Sequence, residues 1–247
     1  MQSVVFFDDS PFERERVKQS LPEVYVPNLP EDPSDLTTFL SQLHCFDTSH
    51  ITKEDKKRVD LYKSEFTRNK LKKDFKSLPE WINTLDLTIT IENIKNENVP
   101  RSLQLLNKTN QMNLTTRRLN EKEFENWIQK KENFFWTVRA NDKFGDYGII
   151  GIISISVENK VANVQDFILS CRVAGRCIEE SMIKFLKEFC ELKKMQSLNG
   201  KYVKTEKNLL CFNFLKRINI INNDNSLNFS NKVDDIKLPK INIIKSI

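Results

Sequence analysis

The run Leu169-Ser170-Cys171-Arg172-Val173-Ala174-Gly175-Arg176-Cys177 sets a thiol, two guanidinium groups and a glycine directly ahead of a long apolar-periodic segment. A strand that enters a glycine turn and feeds a helix leaves backbone N–H groups unpaired at the positive end of the helix dipole. Phosphate or pyrophosphate is favoured there. Arg172 and Arg176 add cations with bidentate donors. Arg172, Val173, Ala174, Gly175, Arg176 and Cys177 are therefore candidate phosphate contacts. Cys171, beside the turn and its arginines, is placed as an acyl-accepting nucleophile. The competing reading is a plain turn with two solvated arginines and a buried, inert Cys171. Cys177, Cys190 and Cys211 read as helix core.

A second constellation is Asn110-Gln111-Met112-Asn113-Leu114-Thr115-Thr116-Arg117-Arg118, a connector dense in amides, hydroxyls and guanidinium groups. Asn110, Gln111, Asn113, Thr115, Thr116 and Arg117 are candidate contacts for a small polar ligand. The alternative is a capped, solvated loop. Near the start, Val4-Val5-Phe6-Phe7 reads as a buried apolar strand ending in the adjacent carboxylates of Asp8 and Asp9. Paired aspartates at the carboxyl edge of a sheet are one way to hold magnesium. Asp142-Lys143-Phe144-Gly145-Asp146 reads as a hairpin turn.

The elements that must position these groups follow from periodicity and punctuation. Ser10-Pro11 starts a helix, Val24-Tyr25-Val26 is a short strand, and Pro33-Ser34-Asp35 starts a helix to about Leu43. A long charged helix spans 53–75 with Val59, Tyr62 and Phe66 on one face, and Leu78-Pro79-Glu80-Trp81 starts a short one. From Leu87, apolar residues alternate with polar ones as in a strand. Helices follow at 99–111 and 120–130, strands at 134–141, 149–158 and 161–170, and a long helix at 174–194. Ile178, Met182, Phe185, Leu186 and Phe189 face inward on that helix. A strand at 198–203, a helix at 208–216 and a strand at 217–221 complete an α+β (mixed α/β) layout with a mostly antiparallel sheet. From Asn222 a polar, partly ordered tail is expected.

Bulk properties exclude several classes. Hydrophobic content of 39% supports a real core, and the net charge of +5 is mild. Residues 53–76 carry that whole excess, so a basic helix meets phosphate or an acidic protein while the rest offers no nucleic-acid footprint. Five cysteines without a CxxC pair, and two distant histidines, give neither zinc spacing nor a disulfide framework. The stretch Ile149 to Val157 is about half a membrane span, and no secretory leader is seen. A cytoplasmic protein without membrane partners is expected.

Phe6-Phe7-Asp8-Asp9-Ser10-Pro11 with Glu13-Arg14-Glu15, and Pro27-Asn28-Leu29-Pro30-Glu31-Asp32-Pro33, resemble the end of the phosphatase domain of FkbH-like proteins, a haloacid dehalogenase (HAD) domain of subclass IIIC. Arg58, Tyr62, Glu65, Arg68 and Leu71 resemble that family's connector helix. Thr109 to Arg118, Arg139, Asp142, Phe144-Gly145-Asp146, Gly151, Leu169 to Arg172 with Gly175-Arg176, and Lys207-Asn208 resemble its C-terminal half, which is similar to GNAT acyltransferases. The resemblance implies a HAD remnant over 1–50, a basic helical connector over 51–84, a GNAT-like domain over 85–221 and a polar tail over 222–247. It also implies passage of a glyceryl-type three-carbon unit, as a thioester, to an acyl carrier protein. The 172–177 loop would meet the phosphopantetheine arm of the carrier, or coenzyme A, in a groove between diverging strands. The 110–118 segment would hold the acyl group or shape the channel.

Asp8 and Asp9 would bind Mg2+ only within an intact HAD domain. The family's nucleophilic Asp-x-Asp strand has no counterpart upstream of Asp8, so phosphatase activity is expected only with a separate chain that supplies it. GNAT phosphate loops end in Gly or Ala where Cys177 stands, and the tyrosine that often protonates the departing thiol appears as Leu215. Ordinary acetyl transfer to an amine is the less favoured expectation. Three functions stay open: a carrier-dependent acyl-thioester step, a coenzyme A-dependent N-acyltransferase, and a non-catalytic interaction remnant.

Overall fold

The computed structural model describes residues 4–47, 58–228 and 238–246, which fall into two compact units, Met1–His50 and Ile51–Ile247. In the first unit, α1 (Pro11–Ser20) is capped by Ser10, whose Oγ accepts the Glu13 N–H, with Pro11 in the first turn. The segments expected as strands at 4–9 and 24–26 form a single parallel bridge, Val5 to Tyr25, and the first is not buried as expected: Val4 is exposed and 5–7 are half-buried. A 3-10 turn at Pro33–Asp35 leads into α2 (Leu36–Ser41).

The second unit holds α3 (Arg58–Lys72), α4 (Leu78–Asn83), β1 (Thr88–Asn93), α5 (Val99–Lys108), β2 (Met112–Asn113) and α6 (Glu121–Ile128). Then follow β3 (Asn133–Asp142), β4 (Gly145–Glu158), β5 (Val161–Leu169), α7 (Ile178–Leu192), β6 (Ser197–Lys201), α8 (Leu209–Arg217), β7 (Ser226–Asn228) and β8 (Asn242–Ser246). The sheet runs β7-β6-β5-β4-β3-β1-β8, with β2 pairing β5 off that path. Among the described residues of this sheet, β5–β6 and β1–β8 pair in parallel and the other pairs are antiparallel. The expected mixed fold with a mostly antiparallel sheet and flanking helices is what forms.

Local chemistry explains the connections. The loop between β4 and β5 has Asn159 and Lys160 both at positive φ, the mirror-image turn whose twist suits a tight hairpin. Strands β5 and β6 run parallel, so the chain must cross over, and α7 is the crossover. Alternation sends Phe135, Ile149, Ile152 and Ile168 to one face, against Leu105, Leu106 and Phe124 of α5 and α6. Trp136, Val138, Ile153 and Phe167 go to the other, against Met182, Phe185, Phe189 and Phe214 of α7 and α8. The inward residues expected on α7 are all buried.

Three expectations are corrected. The strand expected at 217–221 does not form, because the chain turns at Asn219 (φ 59) and leaves only a bridge at Ile221. The presumed polar tail supplies β7 and β8, and β8 lies against the otherwise open edge of β1. Of the face expected on the long charged helix, the Val59 and Tyr62 side chains lie outside the described residues, and Phe66 is 75% exposed. Among the described side chains of α3 the buried one is Arg68, 1% exposed.

Arg68 Nε and Nη2 donate to the two Asp142 carboxylate oxygens at 2.7 Å each, and Tyr147 Oη donates to Asp142 at 2.7 Å. Burial pushes the Asp142 carboxyl up, but hydrogen bonds from Arg68, Tyr147 and the Phe144 N–H outweigh it and hold it below the usual range. Stability from this group is present above the ordinary carboxylate pKa and is lost as pH falls through the lowered one. Arg68→Ala strands a buried carboxylate and should cost about 3–5 kcal/mol in urea unfolding at pH 7. As pH falls, the deficit should begin to narrow above about pH 4, because burial without Arg68 raises the carboxyl and Asp142 takes up its proton earlier in the variant than in wild type. Phe66→Ala should stay within about 0.5 kcal/mol of wild type.

Candidate functional site

Strand β5 hands the chain to α7 through the loop that the sequence singles out. The Ser170 N–H donates to the Ile150 carbonyl at 2.7 Å, and Cys171–Val173 then form one 3-10 turn anchored by buried Val173. Cys171 is exposed, and half-buried Arg172 donates through Nε to Ser170 Oγ at 3.3 Å. Gly175 has φ +78 with open space where a Cβ would stand, so its role is conformational rather than one of packing. Cys177, at φ 59, caps α7 without a side-chain bond. A left-handed L-residue costs about 1–2 kcal/mol, which gives the physical reason a glycine suits such a position.

Arg176 does not stand beside a phosphate position. It is buried and turned into the Arg68 cluster, where Nη2 donates to Glu65 Oε1 at 2.5 Å and Nη1 to Tyr147 Oη at 2.9 Å. Its guanidinium lies 5.6 Å from the Trp81 ring centre and 5.2 Å from that of Tyr147. Of the two arginines expected at the loop, only Arg172 lies outside this network. Cys177 is half-buried, and burial, with the charges of Glu180 and Glu179, pushes its thiol up to about 12 despite Arg217.

Two carboxylates outside the predicted site residues, Glu179 and Glu180, sit in the first turn of α7. Glu179 Oε1 accepts the Gly175 N–H at 2.6 Å, and Glu180 Oε1 accepts from Arg217 Nη2 at 2.6 Å. Both side chains are buried, and each Oε2 has no hydrogen-bond partner. Burial pushes the Glu179 carboxyl up to about 7, with the Glu180 charge adding to it. Bonds from the backbone N–H groups of Gly175 and Glu179, and the charge of Arg217, oppose that rise. The adjacent Glu179-Glu180 pair was the available signal, but acidic residues in a first helical turn ordinarily read as dipole partners.

The polar connector is a wedge in the sheet. Strands β5 and β6 pair only at 161–164 with 197–200, and beyond that point residues 112–114 lie between them. Met112 pairs Leu169 and Asn113 pairs Ile168; the Leu114 N–H donates to Phe167, and the Val203 N–H to Leu114. The groove expected between diverging strands is therefore filled by the chain itself. Asn113, fully buried, accepts from the N–H groups of Thr115 and Thr116 and donates to the Thr109 carbonyl. Thr115 Oγ1 donates to the Gln165 carbonyl, and Thr116 Oγ1 to that of Thr115. Arg117 pairs with buried Asp166, which also accepts from Ser154 Oγ at 2.5 Å, and lies 4.7 Å from the Trp127 ring centre. The Asn110 side chain accepts from Arg118. The Gln111 side chain is exposed, and the Gln111 backbone carbonyl accepts the Cys211 N–H. Asn208, fully buried and not among the predicted site residues, fastens this wedge. It accepts from Tyr202 Oη and the Thr205 N–H and donates to the Asn113 and Val203 carbonyls.

In the first unit, Asp8 Oδ1 accepts the Ser10 N–H at 2.9 Å, and Arg14 donates to the Asp8 and Asp9 carbonyls. Among the described residues no group of three or more His, Cys, Asp or Glu is arranged to hold a metal ion. A groove of about 550 Å³ runs past Lys187, Cys190, Met195, Leu198, Asn222 and Leu227, and one of about 430 Å³ past Thr90, Arg139, Asp142 and Asp146. Neither includes residues 110–118 or 171–177. Among the described residues no helix is long and apolar enough to cross a membrane. For a phosphopantetheine group the fit is partial. Arg172 and the space at Gly175 suit a phosphate, whereas the Gly175 N–H is engaged and the edge of β5 is taken.

No protein-family model matches the chain. No curated protein matches it. Solved structures similar to it include a domain from Methanocaldococcus jannaschii (12% identity, 57% of this chain and 96% of that one, TM-score 0.44). They also include a GNAT-family acetyltransferase from Staphylococcus aureus (11% identity, 52% and 81%, TM-score 0.40). A third is a PaiA N-acetyltransferase from Thermoplasma acidophilum in complex with coenzyme A (12% identity, 56% and 96%, TM-score 0.38).

Two measurements check this site. Brief iodoacetamide treatment followed by peptide mapping should label exposed Cys45 and Cys171 and spare Cys177, Cys190 and Cys211. Asn208→Ala should cost on the order of 2–4 kcal/mol in urea unfolding, because two carbonyls and two donors lose a buried partner together. Asn208→Asp should not rescue it, since an acceptor then faces two carbonyls.

Proposed function

We propose that the Ile51–Ile247 unit is a GNAT-like acyl-transfer domain that takes an acyl group from a phosphopantetheine thioester, with the Cys171 thiol as its acceptor. The handover from β5 to α7 carries this reading. A single 3-10 turn lifts Cys171 into solvent, and Gly175 leaves open space ahead of the helix. In the transfer, the Cys171 sulfur bonds the acyl carbon as the donor's carbon–sulfur bond breaks. Cys171 gives up its proton, and the departing thiol takes one up. Arg172 and the backbone at Ala174 would hold the donor's phosphate, since the Gly175 N–H is bonded to Glu179.

The donor's phosphopantetheine can be carried on coenzyme A, as in an N-acyltransferase, or on an acyl carrier protein. The carrier form with a glyceryl-type unit follows from the resemblance of residues 109–118 and 169–176 to FkbH-like proteins. The same resemblance supports Asp8 and Asp9 as Mg2+ ligands only alongside the rest of a HAD-type domain, on this or another chain. An interaction module without catalysis is the second reading, favoured by the filled gap between β5 and β6.

Incubation with acetyl-coenzyme A, acetyl-pantetheine and acetyl-loaded holo carrier protein, followed by intact-mass spectrometry, separates these readings. One acetyl group on wild type and none on Cys171→Ser is the expected result, and the donor that labels faster identifies the carrier of the arm. An adduct that persists in Cys171→Ser places the acceptor elsewhere. No adduct from any donor leaves the interaction module.

A further inference from the structure

Anion sites at helix N-termini work because N–H groups and the dipole meet a negative ligand from outside. At the N-terminus of α7 that negative group is already present and belongs to the chain. Glu179 is 4% exposed, its Oε1 stands 2.6 Å from the Gly175 nitrogen, and its Oε2 is buried without a partner. A surface carboxylate that merely complements a dipole would keep its second oxygen in water. This one is drawn out of solvent and held against the loop, with one oxygen unpaired, which is costly for a solvated acid.

We propose that Glu179 is an internal occupant of the phosphate position in the 174–179 loop and decides which thioester donors the loop admits. The inference rests on the acyl-transfer reading and deepens it. A donor that must set a diphosphate on the Gly175 N–H, as coenzyme A would, has to displace the carboxylate and meet the charge of Glu180 behind it. A donor that holds its phosphate outside the loop, near Arg172, meets no such competitor.

The groups that face Glu179 set the sign of the pH effect. Glu180 on the same helix repels its charge, Arg217 of α8 attracts it, and Cys177 beside it stays a neutral thiol. Burial with Glu180 wins over Arg217, so the carboxyl takes up its proton near pH 7. Below that pH the occupant is neutral and anion binding strengthens; above it, binding weakens.

The test is calorimetric titration of the full chain with coenzyme A and with inorganic pyrophosphate at pH 8 and pH 6. Wild type should bind both weakly at pH 8. Glu179→Gln removes the charge but keeps an acceptor for the Gly175 N–H, and should bind about tenfold more tightly. Glu179→Ala, which frees that N–H, should gain more. Lowering the pH should strengthen binding to wild type more than to either variant, a difference in which the probe's own titration cancels. Equal affinity of wild type and both variants overturns the proposal, as does absence of binding in all three. Thermal melts establish that the variants fold, and two substitutions keep the test open if one does not. Transfer from acetyl-pantetheine, which carries no phosphate, reports on Cys171 separately. Its failure sinks the acyl-transfer reading without touching the occupancy of the loop.

Discussion

Arg68, Arg176, Asp142 and Glu65 gather around Tyr147 as a charge-neutral group, three of the four almost wholly out of water. Withdrawing guanidinium and carboxylate groups from solvent is tolerable only when each meets a partner in good geometry, and losing one member leaves a stranded charge. Because the members come from α3, from the β3–β4 hairpin and from the loop before α7, those three elements are fixed to one another. The tyrosine ring between the two guanidinium groups adds contacts of 4.1 and 5.2 Å. This cluster orients the loop, and it is why Arg176 is absent from the loop's outer surface.

The sheet imposes the second constraint. Parallel strands joined by a crossover helix twist apart, and divergence exposes backbone groups that must be satisfied somewhere. Here the chain satisfies them with its own residues 112–114, held in place by Asn113 and Asn208. The amide-rich connector thus spends its hydrogen bonds on the fold. Outside these bonds lies the solvent side of the loop, with Cys171, Arg172 and Gly175.

For the proposed donor site, charge at that opening is the deciding quantity. A helix N-terminus attracts anions, yet α7 begins with two buried carboxylates, one of them bonded to the loop. Neutral thiol, raised carboxyl and paired arginine are consequences of one buried environment rather than separate tunings.

Period-two and period-3.6 patterns were enough to read β1, β3, β4, β5 and α7 from the sequence, because their apolar residues repeat over many positions and face a core. The glycine at the strand-to-helix turn was legible for the same local reason. Strand β8 was not, since five residues with polar flanks acquire meaning only beside the open edge of β1. Phe66 was misplaced because apolar spacing says nothing about a buried guanidinium three carbons away from its backbone. From the residues alone came the long periodic elements, their order, and the residue types that reach the handover from β5 to α7. Only the tertiary structure decided that Arg176 turns inward, that residues 112–114 fill the gap between β5 and β6, and that Glu179 meets Gly175. Those are pairings between distant or differently oriented groups, and their energies exist only once water has been removed from between them.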